Sequence, residues 1–201
     1  YFPNANYDGK LDLAFSQLKT ERGGDLNVMA PGGSIVIGLP KIPEILLIDK
    51  AKKASNPESI LGIFTVKGGN INLFSKGNID VAQSREFTIA GGNVLNWSSE
   101  GDIDAGKGSK TATSAPPPLI RTDSKGNTVI DLSGVVSGSG IGTLQTLASV
   151  APGDVTLLSP SGAFTAGDAG IRQSGYLRVS ATRVIGADNI PVGRTASGGP
   201  L

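Results

Sequence analysis

Apolar and polar residues alternate along this chain in short bursts, and the bursts repeat. Four phrases share a turn opening followed by a period-2 stretch: Gly23-Gly24-Asp25-Leu26-Asn27-Val28-Met29-Ala30, Gly68-Gly69-Asn70-Ile71-Asn72-Leu73-Phe74-Ser75, Gly91-Gly92-Asn93-Val94-Leu95-Asn96-Trp97-Ser98 and Pro152-Gly153-Asp154-Val155-Thr156-Leu157-Leu158-Ser159. A second burst follows each, at Gly33-Ser34-Ile35-Val36-Ile37, Gly77-Asn78-Ile79-Asp80-Val81, Gly101-Asp102-Ile103-Asp104-Ala105 and Gly162-Ala163-Phe164-Thr165-Ala166. Each unit therefore reads as strand, turn, strand. The phrases at Gly68 and Gly91 start 23 residues apart, a weaker copy at Gly175 follows Gly153 by 22, and the 45 residues from Gly23 to Gly68 leave room for one unmarked unit.

Repeated short strands at such a period pair most simply with their own copies one period later, which makes a parallel solenoid. The alternation then assigns faces. Leu26/Val28, Ile71/Leu73, Val94/Asn96, Val155/Leu157 and Leu177/Val179 are expected to point inward on one wall. Ile35/Ile37, Ile79/Val81, Ile103/Ala105 and Phe164/Ala166 are expected inward on the next. The fold class is thus all-β, a right-handed parallel β-helix of roughly seven to nine coils, about 35 to 45 Å long at the ~4.8 Å strand spacing. The whole chain, residues 1–201, is expected to form this one domain.

Two stretches break the period. Residues 39–59 hold Ile42 to Ala54, with Pro43 and Glu44 at the start and Lys52 and Lys53 near the end, a pattern that predicts one short inserted helix over about Glu44 to Ala54. Residues 106–149 contain Pro116-Pro117-Pro118 and Gly138-Ser139-Gly140, which predicts a Pro/Gly-rich excursion with one strand near Thr128 to Leu132. Residues 190–201 read as an extended tail ending in Gly198, Gly199 and Pro200.

Composition narrows the chemistry. There is no His and no Cys, so the commonest metal ligands, the usual general base and the thiol nucleophile are all missing. Neither a metal nor a cofactor is expected. Lys plus Arg is 18 against 17 for Asp plus Glu, and that balance points to no nucleic acid. The longest apolar run, Ile45 to Ile48, is far short of a membrane-spanning helix. The chain opens on Tyr1 and its one Met is Met29, so it reads as a processed or excised piece.

The run from Tyr7-Asp8-Gly9-Lys10-Leu11-Asp12-Leu13 through Phe15 to Asp25, then Ala30-Pro31-Gly32-Gly33-Ser34, Trp97 to Gly108 with its Asp102-Ile103-Asp104-Ala105-Gly106-Lys107-Gly108 core, Ala115 to Pro118 and Gly167-Asp168-Ala169-Gly170-Ile171 carry a resemblance. Together they resemble the C-terminal domain of filamentous-haemagglutinin-like exoproteins, large bacterial adhesins exported by two-partner secretion. The resemblance spans about Tyr7 to Val192. It implies a β-helix on the cell surface or released from it, with no catalytic residues.

Three features invite a chemical reading. Gly101 to Gly108 approaches the phosphate-binding loop pattern but ends in Gly108 where Ser or Thr is required, and its two aspartates would face the phosphates. Asp80 and Asp104 share one repeat position and would sit about 4.8 Å apart on adjacent coils. With Asp102 two residues away they form the carboxylate cluster that a polysaccharide-acting β-helix enzyme would use. The competing reading is a solvated outward column, and the chain is expected not to be an enzyme. Finally, Met29, Phe74, Trp97 and Leu158 share one outward position, an apolar stripe that either packs under the chain's own excursion or contacts a partner. Asn96-Trp97-Ser98 fits a glycosylation sequon, but Asn96 faces inward and is better placed as a buried, hydrogen-bonded residue.

The expected function is an extracellular structural or adhesive module, which self-associates end to end into a filament and has a glycan or cell-surface receptor as a further partner class. A monomeric terminal domain of a larger adhesin is the alternative.

Overall fold

A computed structural model describes residues 9–39, 61–107, 119–122, 128–131, 138–146, 148–190 and 196–199. In chain order the strands are β1 (Leu11–Asp12), β2 (Gln17–Thr20), β3 (Leu26–Ala30), β4 (Ile35–Val36), β5 (Gly62–Thr65), β6 (Ile71–Ser75), β7 (Ile79–Asp80), β8 (Arg85–Thr88), β9 (Val94–Ser98), β10 (Ile103–Asp104), β11 (Leu119–Thr122), β12 (Thr128–Asp131), β13 (Gly140–Thr143), β14 (Val155–Thr165), β15 (Ile171–Arg172), β16 (Leu177–Ile185) and β17 (Ala196–Gly199). They wind into a parallel β-helix with three walls.

The first wall stacks β3, β6, β9 and the leading halves of β14 and β16, then β17, every pairing parallel. Its register puts Leu26, Ile71, Val94, Val155 and Leu177 in one column and Val28, Leu73, Asn96, Leu157 and Val179 in the next, the columns that the alternation predicts. The second wall stacks β1, β4, β7, β10 and the trailing halves of β14 and β16, aligning Leu11, Ile35, Ile79, Ile103, Phe164 and Val184. Ile35, Ile71, Leu73, Ile79, Ile103, Leu157 and Phe164 are fully buried in one continuous core. Each such side chain contributes on the order of 2 kcal/mol, so the columns carry the fold.

The third wall, β2, β5, β8, β13 and β15, is the one that two strands per unit did not anticipate. Its inward column reads Leu18, Ile63, Glu86, Ile141 and Ile171.

Corner chemistry fixes the register. The Asn70 backbone N–H donates to Asp25 Oδ1 (2.7 Å), that of Asn93 to Asn70 Oδ1 (2.8 Å), that of Asp154 to Asn93 Oδ1 (2.9 Å) and that of Tyr176 to Asp154 Oδ1 (2.9 Å). One Asx side chain per coil therefore receives the next coil. A second ladder runs from Ser34 Oγ through Asn78 and Asp102 to the Ala163 N–H. Thr20, Thr65 and Thr88 each donate Oγ1 to the carbonyl four residues on, at Gly24, Gly69 and Gly92. At Gly92, φ is 99° and an added Cβ would run into the Gly69 carbonyl, so the second glycine of the pair is required both by conformation and by close stacking.

Several expectations change. Leu26 pairs directly with Ile71, so no unmarked unit lies between the Gly23 and Gly68 phrases; the extra length is an insertion after β4. The first wall has six rungs among the described residues, and β1 on the second wall lies one level beyond β3, so the described strands reach seven levels, the lower end of the seven to nine coils expected. The inserted helix expected over Glu44 to Ala54 falls outside the described residues. Within the stretch 106–149, β11 and β12 form an antiparallel hairpin that includes the strand expected near Thr128, while Gly140–Thr143 returns to the third wall. In the expected tail, Ala196–Gly199 is a further parallel rung.

Candidate functional site

Two candidate regions were set out from the sequence, and both lie on the solenoid surface. On the second wall, register makes Asp80 and Asp104 direct neighbours on β7 and β10. Each carboxylate is engaged locally: Asp80 Oδ1 accepts the Ala82 N–H (2.7 Å) and Asp104 Oδ1 accepts the Gly106 N–H (2.8 Å). Asp12, at the same position of the first coil, accepts the Ala14 N–H in the same way (3.1 Å). The position is a turn-forming one, in which an Asx side chain stands in for a backbone acceptor two residues before a corner. Burial pushes the Asp80 carboxyl above the ordinary carboxylate range and the neighbouring Asp104 adds to this, against the lowering from the Ala82 N–H and Lys107. Asp102 is exposed, in a different column, and its Oδ1 accepts the Ala163 N–H (2.7 Å) as part of the second corner ladder. The structure brings Asp80 and Asp104 together and leaves Asp102 in the other ladder, and each carboxylate has a structural hydrogen bond.

On the first wall, register aligns Met29, Phe74, Trp97 and Leu158 across four successive rungs, and Ser180 ends the stripe. Met29 is 68% and Trp97 39% exposed, while Phe74 and Leu158 are half-buried. A shallow groove beside them is lined by Met29, Pro31, Phe74, Ser75, Lys76, Ser99 and Glu100. Lys76 and Glu100 form an exposed pair (3.7 Å) on it. The segments expected to cover the stripe, Ile42 to Ala54 and the proline run, fall outside the described residues.

Two buried features escaped the sequence reading. Phe64, Phe87 and Ile89 form a second apolar cluster outside the third wall, with Val66 and Leu144 against it. The Arg172 guanidinium sits 5.7 Å from the Phe87 ring centre, and burial lowers its basicity. Inside the solenoid, Glu86 is fully buried and accepts a hydrogen bond from Asn96 Nδ2 (2.7 Å). Asn96 is buried and bonded as expected, but with a carboxyl group as its partner. A comparison of Gly62-Ile63-Phe64-Thr65 with Arg85-Glu86-Phe87-Thr88 would have exposed the Glu at an Ile position.

Among the described residues no helix is long and apolar enough to cross a membrane, and no group of His, Cys, Asp and Glu side chains could hold a metal ion. Residues 91–201, just over half of the chain, match a family model described as filamentous haemagglutinin family outer membrane protein. No curated protein and no solved structure matches.

Proposed function

The chain belongs to the filamentous haemagglutinin family of outer membrane proteins, and from that premise we propose that it is a structural or adhesive β-helix module of the bacterial cell surface, acting without turnover. The observation that carries this reading is the apolar stripe Met29, Phe74, Trp97 and Leu158, presented outward on a rigid stack of rungs. Exposed aligned apolar groups of this kind mark contact surfaces, and a glycan or cell-surface receptor is the partner class. The module is exported as part of a two-partner secretion exoprotein. Its end strands continue the stack head to tail onto the next unit: among the described residues β17 pairs with β16 alone, and β3 with β6 alone. Because the two ends differ, such contacts propagate as a filament and do not close into a dimer.

A test of the contact surface compares binding of the wild type and a Phe74→Ser/Trp97→Ser variant to a glycan array and to host cell surfaces. Binding lost in the variant, with the far-ultraviolet spectrum unchanged, supports the reading; equal binding by both removes the stripe from it. Light scattering and negative-stain microscopy test assembly, and particles that stay monomeric at high concentration would end the filament. Against the enzyme alternative, Asp80, Asp102 and Asp104 already serve turns and ladders. Polysaccharide cleavage by the wild type that disappears in an Asp80→Asn/Asp102→Asn/Asp104→Asn variant would reverse that ranking.

A further inference from the structure

Among the described residues the interior of the solenoid is apolar apart from hydroxyl and amide groups, with one exception. Glu86 occupies an inward position whose neighbours above and below are Ile63 and Ile141. The strands that face it bring no compensating charge: β5, β6, β9 and β13 contain no titratable side chain. On its own strand the one other charged residue, Arg85, lies on the opposite face by alternation. Asn96 Nδ2 donates to Glu86 Oε2 at 2.7 Å. The remaining oxygens of the two groups, Glu86 Oε1 and Asn96 Oδ1, are sealed from solvent and have no hydrogen-bond partner. With an ionised carboxylate both would be acceptors facing an apolar interior, an arrangement that buried polar groups avoid.

One proton resolves both vacancies. We propose that Glu86 is carried inside the solenoid as the neutral acid, its Oε1–H donating to Asn96 Oδ1 while Asn96 Nδ2 donates to Oε2, a closed acid–amide pair that works as a pH-sensitive latch between the third and first walls. A planar carboxyl and a planar carboxamide can exchange two such bonds edge to edge, and the Asn96 Nδ2 to Glu86 Oε2 bond already supplies one of the two. The environment agrees: burial pushes the Glu86 carboxyl from the ordinary 4.5 up to about 8, against the smaller lowering from the Asn96 hydrogen bond. The folded chain therefore keeps a proton that the unfolded chain releases once the pH passes the ordinary glutamate range. The latch is at full strength below about pH 4.5 and its contribution is lost as pH climbs toward about 8. Over that window the folding equilibrium constant should fall on the order of a thousandfold from this group alone.

Urea denaturation of the full chain between about pH 4 and pH 9 tests the latch, comparing the wild type with Glu86→Gln and Glu86→Ile. Glutamine reproduces the neutral acid, with its amide donating to Asn96 Oδ1, and isoleucine continues the Ile63–Ile141 column. The wild type should lose stability steadily from about pH 5 to pH 8, and Glu86→Gln should be nearly flat there, folding at least tenfold more favourably at about pH 7.5. An equal pH slope in wild type and Glu86→Gln would overturn the proposal. Should Glu86→Gln fail to fold, Glu86→Ile supplies the flat reference. The infrared carbonyl band of a protonated carboxylic acid is an independent readout. It should be present in the folded wild type near pH 6.5 and absent from the variant, and its absence from the wild type would equally end the proposal.

Discussion

The first and third walls are built from the same backbone ladder, yet they face different surroundings. On the first wall burial alternates along each strand, as in β6 and β9, where Asn72, Phe74, Leu95 and Trp97 point out and are exposed or half-buried. On the third wall β5, β8 and β13 are buried at every residue, so both faces are covered. The connectivity differs between the walls as well. Both long interruptions of the period, between β4 and β5 and between β10 and β13, leave after the second wall and rejoin the solenoid at the start of the third. The two strands at which they rejoin, β5 and β13, flank β8, and the outer face there carries Phe64, Phe87 and Ile89. The stacked rungs fix the shape of the helix, while the outer faces differ in kind: the third wall carries the buried cluster of Phe64, Phe87 and Ile89 with Val66 and Leu144 against it, and the first wall carries an exposed stripe.

The sharpest way to break this comparison is to truncate an outward aromatic on each wall. Phe87→Ala removes a fully buried ring from the second cluster and leaves a cavity beside Arg172. It should cost about 3–5 kcal/mol in urea denaturation. Trp97→Ala, at a solvent-facing position, should cost less than about 1 kcal/mol. Equal losses would mean that the two outer faces are not energetically distinct.

A smaller effect is expected at the corners, which belong to all coils alike. Asn93→Ala leaves the Asp154 N–H without its acceptor, and a loss of about 1–2 kcal/mol should follow. Asn72→Ala removes only an exposed side-chain bond to Asn27 (2.8 Å) on the first-wall face, with an expected loss of at most about 0.5 kcal/mol. If Asn72→Ala proved the costlier change, register would be held by the face ladder and not by the corner ladder.

The sequence made the first two walls legible because each has one wet face. Leu26-Asn27-Val28-Met29 and Ile71-Asn72-Leu73-Phe74 carry the alternation openly, and the glycine pairs ahead of them mark the corner. The third wall was illegible for the opposite reason: Gly62-Ile63-Phe64-Thr65 and Gly140-Ile141-Gly142-Thr143 are covered on both sides and do not alternate in polarity. The recurrence of Thr20, Thr65 and Thr88 four residues before the second corner glycine was a usable signal for it. The Asp80–Asp104 adjacency was legible from repeat position, but the Asx turns that occupy both carboxylates were not, since they depend on where the backbone bends. Glu86 defeated the reading because a charged residue in a short strand is ordinarily placed outside, and only its column neighbours Ile63 and Ile141 show that it faces inward.

A small effect of the opposite sign is expected at the corner where the second wall turns into the third. Ala82 has φ of 55°, a left-handed conformation, and it is the one non-glycine residue with positive φ among the described residues. The equivalent positions one and two coils on are Gly106, at 98°, and Gly167, at 60°. The turn is held at Ala82 by its N–H to Asp80 Oδ1 (2.7 Å) and by its carbonyl, which accepts the Lys107 N–H (2.9 Å), so the residue cannot relax to negative φ without breaking both bonds. An alanine there costs roughly 1–2 kcal/mol of conformational energy, while glycine would give back about 0.4–1 kcal/mol through the freedom of the unfolded chain. Ala82→Gly should therefore stabilise by about 0.5 kcal/mol, readable as a small rise in the urea midpoint. The reciprocal change does not mirror it, because a Cβ at Gly106 would meet the Ala82 carbonyl of the coil below. Gly106→Ala should destabilise by more than about 1 kcal/mol. A destabilising Ala82→Gly would show that the methyl group packs usefully in the corner, and it would extend the covered surface of the third wall one residue further into the turn.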